Sequence, residues 1–361
     1  MNKTLLTKKY YPALDGIRGL AILLVIIYHN FNFIGVSYFG WLGVDLFFVL
    51  SGFLITDILM GSINEKHFLR NFYARRVLRI FPLYYLTLVI FIFILPLLFK
   101  PSSQFDYFVD HQAWFWSFLQ NWLFIINPAP SSVILNHYWS LAVEEQFYLI
   151  WPFVILLFRK PRQLLIFITA VLFSVLMLRL YLWNQDFGIA YFNLYTFTRI
   201  DGICIGCMVA LIQRMDLEFI KKRTALIVLT FAGLNLLFDF INKQYDFSFP
   251  YLALVGYSTF AMLFGLLVNE ATTGGNKWIE LIFNNRVLKF FGKISFGLYI
   301  FHWPVYIILK PVIYNWWQKH IEGFATLAAS LIPTLLALGI SVLSYYYFEK
   351  RFLQLKKQFS T

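Results

Sequence analysis

The chain has 361 residues, 60% hydrophobic and only 13% charged, with 30 Lys and Arg against 18 Asp and Glu. Soluble domains are about 45–50% apolar and about 25% charged, so a water-soluble globule and a disordered chain are both excluded. The net charge of +12 does not point to nucleic acid. No soluble basic module or Gly/aromatic RNA motif accompanies it, and in a membrane protein such an excess belongs on cytoplasmic loops.

A helix crossing the bilayer needs about 20 apolar residues. Apolar runs of that order lie near 17–35, 42–60, 78–99, 140–158, 163–183, 198–213, 224–241, 251–268, 295–311 and 324–347. The first carries Arg18 and His29 and lacks a small-residue cleavage site, so it reads as a retained span rather than a signal peptide. The run 113–127 is short and is followed by Pro128 and Pro130. If it does not cross, the basic clusters around Lys8, Arg75, Lys160, Lys222, Lys289 and Lys356 all fall on one side; if it crosses, that bias collapses. The expectation is therefore an all-α polytopic membrane protein: a bundle of about ten transmembrane helices, with 113–127 as a re-entrant or interfacial segment near a functional cavity. It would be one integral membrane domain over 1–361 with no appended soluble domain, multi-pass in the plasma (inner) membrane, both termini cytoplasmic.

Ionisable side chains inside spans cost about 2.5–3.5 kcal/mol each on insertion scales and point to function. Arg18 and His29, 11 residues apart, return to nearly the same face of one helix, roughly 16 Å apart along it. Asp45, Glu144, Arg199, Asp201 and His302 fall in the outer halves or middles of other spans, and Arg179 also lies within one. Each alone is equally well read as a structural pair, such as Arg199 with an acid from another helix. In FYARRVLRIFPLYY (72–85), Arg75, Arg76 and Arg79 crowd onto about 1.4 turns. That is either an ordinary basic flank or, with Arg18, a phosphate cradle. A CoA thioester fits two such chemistries at different depths, its phosphates far from its acyl end. Cys204 and Cys207, at i and i+3, pack as small apolar residues, and no His/Cys spacing predicts a metal.

At these residues the sequence resembles the membrane-bound acyltransferase 3 family, in its stand-alone O-acetyltransferase-like type. The matching segments are YPALDGIRGLAILLVIIYH, GVDLFFVLSGFLI, FYARRVLRIFPLYY, WSLAVEEQFYLIWP, TRIDGICIG, ISFGLYIFHWP and YYYFEKRF, in that order. Phe296 departs from a Tyr that is frequent in the family.

The resemblance implies transfer of an acyl group, usually acetyl from acetyl-CoA as co-substrate, to a hydroxyl of a glycan or related acceptor. Arg18, Arg76 and Arg79 would hold the donor, and His29 would act as base or, in a variant, as a covalent acyl carrier. Glu144 or Asp45 would orient the imidazole. Arg199, Trp139 and amides near Gly52 are oxyanion candidates, with Asp201 and His302 as further supporting residues. No bound cofactor or metal is expected. The competing class is a proton-coupled transporter or flippase, for which no inverted repeat is evident.

Overall fold

The computed structural model describes residues 10–98, 103–129, 134–215, 218–245, 251–274 and 276–359. These residues are helical and contain no strand. Eight helical stretches are long and apolar enough to cross a membrane: Pro12–Asn30, Leu42–Ser62, Phe68–Leu97, Asn136–Phe158, Pro161–Asn184, Leu252–Thr273, Arg286–His320 and Ala325–Phe359. The other two expected spans coincide with less extensive apolar helix. Asp201–Arg214 has 14 residues, about 21 Å of rise, short of the ~30 Å hydrocarbon core. In Glu218–Tyr245 the apolar part is confined to Ala225–Phe238.

The chain divides into two compact units, of residues 1–21, 44–65 and 147–292, and of residues 22–43, 66–146 and 293–361. The first is built on close helix crossings. A β-carbon at Gly52 would run into the Ile203 carbonyl, and one at Gly206 into the Val49 carbonyl. Small residues facing each other let Leu42–Ser62 and Asp201–Arg214 meet backbone to backbone, a common source of helix affinity in lipid. Around this crossing pack Ile17, Leu46, Val49, Phe53, Ala210 and Ala261, all buried. Cys204 and Cys207 are buried free thiols on the same short helix.

In the second unit the segment near 113–127 forms two short helices, Gln112–Trp116 and Gln120–Ile126, neither long enough to cross. Phe118 between them has φ 56°. With Leu119 N–H donating to the Trp114 carbonyl at 2.8 Å, this is a Schellman-type stop with Phe in the left-handed position glycine usually takes. The strained residue is held down. Its ring stacks on Tyr84 at 4.2 Å, and the Gln146 amide donates to its carbonyl at 2.7 Å. Tyr84 donates to the Phe115 carbonyl, which also accepts from Phe118 N–H, and Tyr85 donates to the Trp116 carbonyl.

Prolines shape the long helices. Pro96 has no N–H for the Ile92 carbonyl, and the turn over Ile90–Ile94 widens to accommodate it. Pro304, inside Arg286–His320, likewise deprives the Ile300 carbonyl of its helical partner.

The Gly206 crossing gives a stability prediction. Gly206→Val should cost about 1–3 kcal/mol or more through overpacking, read as a lowered Tm in detergent. Gly233→Ala, where an added β-carbon meets nothing within 4 Å, should leave Tm unchanged or raised.

Candidate active site

Three imidazoles meet in the second unit. His29 lies in the last turn of Pro12–Asn30, His302 in the middle of Arg286–His320, and His137 in the turn Asn136–Tyr138 leading into Trp139–Phe158. Ring centroids are 5.1 Å apart for His29 and His302, and 5.1 Å for His137 and His302.

Backbone carbonyls fix the protons, because a carbonyl can only accept. His29 Nδ1 lies 2.9 Å from the Val25 carbonyl, so it carries the proton and donates. His302 Nδ1 lies 3.1 Å and 2.8 Å from the carbonyls of Leu298 and Tyr299, so it too is the N–H. That leaves a lone pair on His302 Nε2, which sits 3.3 Å from His29 Nδ1 and accepts a share of the same proton. His137 Nε2 donates to the Ile300 carbonyl at 3.3 Å, the one freed by Pro304. Its Nδ1 is buried without a partner.

The three rings differ in what remains. His302 is fully buried and its Nε2 is engaged. His137 is 3% exposed, with its spare lone pair enclosed. His29 stays partly exposed, and among the described residues no donor reaches its Nε2. The Trp303 ring lies 4.9 Å from the His29 ring, and Tyr28 packs edge-on at 5.1 Å.

The neighbourhood is locked by hydroxyls. Ser140 donates to Tyr299 at 2.6 Å, and Tyr299 donates to the His137 carbonyl at 2.7 Å. The Asn30 amide donates to Thr334 at 2.8 Å, and Thr334 to the Ser330 carbonyl at 2.7 Å. His137, Tyr299 and Ser140 were not legible as site residues in the sequence. His137 stands in the same segment as Glu144, but no periodicity ties it to a carbonyl 163 residues away.

The expected carboxylate partners take other positions. Asp45 pairs with Arg199 in the first unit, and both are buried. The Arg199 guanidinium also lies 3.7 Å over the Tyr257 ring. Asp201 accepts from Arg179 at 2.9 Å and from Ser258 at 2.6 Å. Arg179 is 0% exposed and donates to Ser258 as well. Two acids and two arginines thus balance within one buried network. Asp45 or Glu144 is the expected partner of the imidazole; Asp45 is engaged by Arg199, and the His29 Nδ1 proton goes to the Val25 carbonyl and His302. Glu144 is half-buried on Trp139–Phe158, and Trp139 opens that helix.

Arg76 and Arg79 both lie on Phe68–Val89. Arg76 is within electrostatic reach of Glu145, and Arg79 of Glu349. Arg18, on Pro12–Asn30, pairs with Asp15 at 3.1 Å. Among the described residues no group of three or more His, Cys, Asp or Glu is arranged to hold a metal.

The ion network predicts a stability asymmetry. Arg179→Met should cost about 3–5 kcal/mol by stranding Asp201, and the double variant with Asp201→Asn should recover much of that loss. Thermal unfolding in detergent measures both.

Residues 11–346 match the model of the acyltransferase 3 family, described as an acyltransferase domain. The peptidoglycan O-acetyltransferase OatA of Listeria monocytogenes is 32% identical over a gapped alignment of 349 positions that covers 89% of this chain and 54% of that protein. The O-acetyltransferase OatA of Staphylococcus aureus is 29% identical over a gapped alignment of 365 positions that covers 94% of this chain and 57% of that protein. The chain spans about half the length of the curated relatives it matches. No solved structure matches. A family match running from the start of the first helix almost to the end of the last, over a polytopic helical fold, establishes that the chain belongs to the acyltransferase 3 family.

Proposed function

We propose that the chain transfers an acetyl group from acetyl-CoA to a hydroxyl of a glycan, with His29 Nε2 as general base. The observation that carries this reading is the His29 tautomer: its one proton is committed to Val25 and His302, and among the described residues no donor reaches its lone pair.

In the reaction the acceptor hydroxyl gives its proton to His29 Nε2 as its oxygen attacks the thioester carbonyl. The tetrahedral intermediate collapses by breaking the C–S bond. The proton on Nε2 passes to the departing sulfur, and CoA leaves as its thiol. The transient imidazolium meets two acceptors at Nδ1, the Val25 carbonyl and the His302 lone pair. They serve the purpose a carboxylate serves in a Ser-His-Asp triad. His302 is thus a positioning residue.

On the donor side Arg76 and Arg79 of the second unit would take CoA phosphates, since guanidinium forks suit phosphate oxygens. The donor would enter from the cytoplasm and the acceptor from outside, with both termini cytoplasmic and the chain in the plasma membrane, as the expected distribution of basic loops favours. The Listeria relative is named for peptidoglycan, which makes a cell-wall glycan the first acceptor to try.

His29→Gln should lower acetyl transfer by about 10²–10⁴-fold, the span of general-base contributions, with membrane insertion intact. Near-normal CoA release by that variant would refute the mechanism. Arg76→Ala should raise the KM for acetyl-CoA by about tenfold or more, equivalent to one charge-assisted bond of about 1.5–3 kcal/mol. The KM for the acceptor should move far less.

A further inference from the structure

Past His302 the helix Arg286–His320 presents Tyr306, Lys310 and Tyr314 at four-residue spacing, a single stripe of its surface. These three share a cleft of about 300 Å³ with Thr326 and Ser330 of Ala325–Leu343 and with Asn32, which follows the first helix. The volume is at the small end of the range for small-molecule sites.

Packed rings link one wall of the cleft to the histidines. Tyr306 stacks on Trp303 at 5.7 Å, and Trp303 lies 4.9 Å from His29. Lys310 is eight residues beyond His302, about 12 Å along the axis. The Asn30–Thr334–Ser330 hydrogen bonds tie the end of the first helix to one wall of the cleft.

Two features define what fits. The first is chemical mixture: the half-buried Tyr314 ring beside an amide and two hydroxyls, which suit the C–H face and the hydroxyls of a sugar ring. The second is charge. Lys310 Nζ lies 5.0 Å from the Tyr306 ring centroid, and among the described residues no carboxylate pairs with it. Lys310 is half-buried at the cleft, and its ammonium offers an arriving anion a charge-assisted contact.

We infer that this cleft is the acceptor subsite and takes a saccharide bearing an anionic group, the anion on Lys310 and the ring against Tyr314. The inference rests on the acyltransferase reading for its chemistry, but binding can be measured without it.

The test uses the full chain in nanodiscs with acetyl-CoA and four acceptors: methyl glucuronide, its uncharged methyl ester, methyl glucoside 6-phosphate and methyl glucoside. CoA thiol release should give a KM at least about tenfold lower for a charged sugar than for its neutral counterpart, since one charge-assisted contact is worth that much. Lys310→Gln should bring the ratio to about one, and Lys310→Arg should retain it. The preferred anion, carboxylate or phosphate, identifies the substituent. Equal KM values in the unaltered chain, or a preference surviving Lys310→Gln, would overturn the cleft while leaving the acyltransferase reading standing.

A tryptophan-fluorescence titration of the His29→Gln chain with the same sugars separates the two claims. Lys310-dependent binding of a charged sugar upholds the cleft even if no acceptor is turned over. Absence of such binding together with absence of turnover sinks it.

Discussion

A backbone carbonyl one turn back along a helix holds the proton of an imidazole, and the chemistry of the site follows from that contact. In a bilayer every carbonyl is in demand for helical bonds, yet His29 reaches Val25 and His302 reaches Leu298 and Tyr299. Both rings are thereby set with the proton on Nδ1 and the lone pair on Nε2. His137 is set the other way, through Nε2. Of the three remaining lone pairs, one faces another ring, one is sealed, and only that of His29 is left for a substrate. That difference between the rings is what makes His29 the base in the proposed mechanism.

Irregular helix makes this cluster. Pro304 removes one helical bond two residues after His302, and the carbonyl it frees is the one His137 takes. The short helices around Phe118 are stopped by a strained residue, whose cost is offset by tyrosine hydroxyls and stacked rings. Conformational strain near a reaction site is tolerated where surrounding contacts over-determine it. The buried arginine–aspartate network serves a different end. Four charges that would each be costly alone are neutralised together in the first unit, where they hold helices in register.

Much of the fold could be read from the residues, because a membrane span needs only length and apolarity. The exceptions have local causes. Asp201–Arg214 begins after a break at Ile200 and is too short to span alone, although its flanking residues lengthen the apolar run on paper. The non-crossing character of 113–127 was readable from its brevity and flanking prolines, and the two short helices agree with it.

The site was less legible. The stripe of Arg18 and His29 on one helix singled out His29. Pairing between helices has no sequence signature, so Asp45 and Asp201 looked as free for catalysis as for ion pairs, and His137 drew no notice. The contact of His29 Nδ1 is with a main-chain oxygen, that of Val25, which no side-chain pattern announces.

The most direct test of this account is nitrogen-15 NMR of the chain labelled at histidine, with the His29 signals assigned by comparison with His29→Gln. The account predicts a neutral ring protonated at Nδ1 with an unprotonated Nε2 in the resting enzyme. A proton found on Nε2 with a bare Nδ1 would leave no lone pair facing the acceptor and would contradict it.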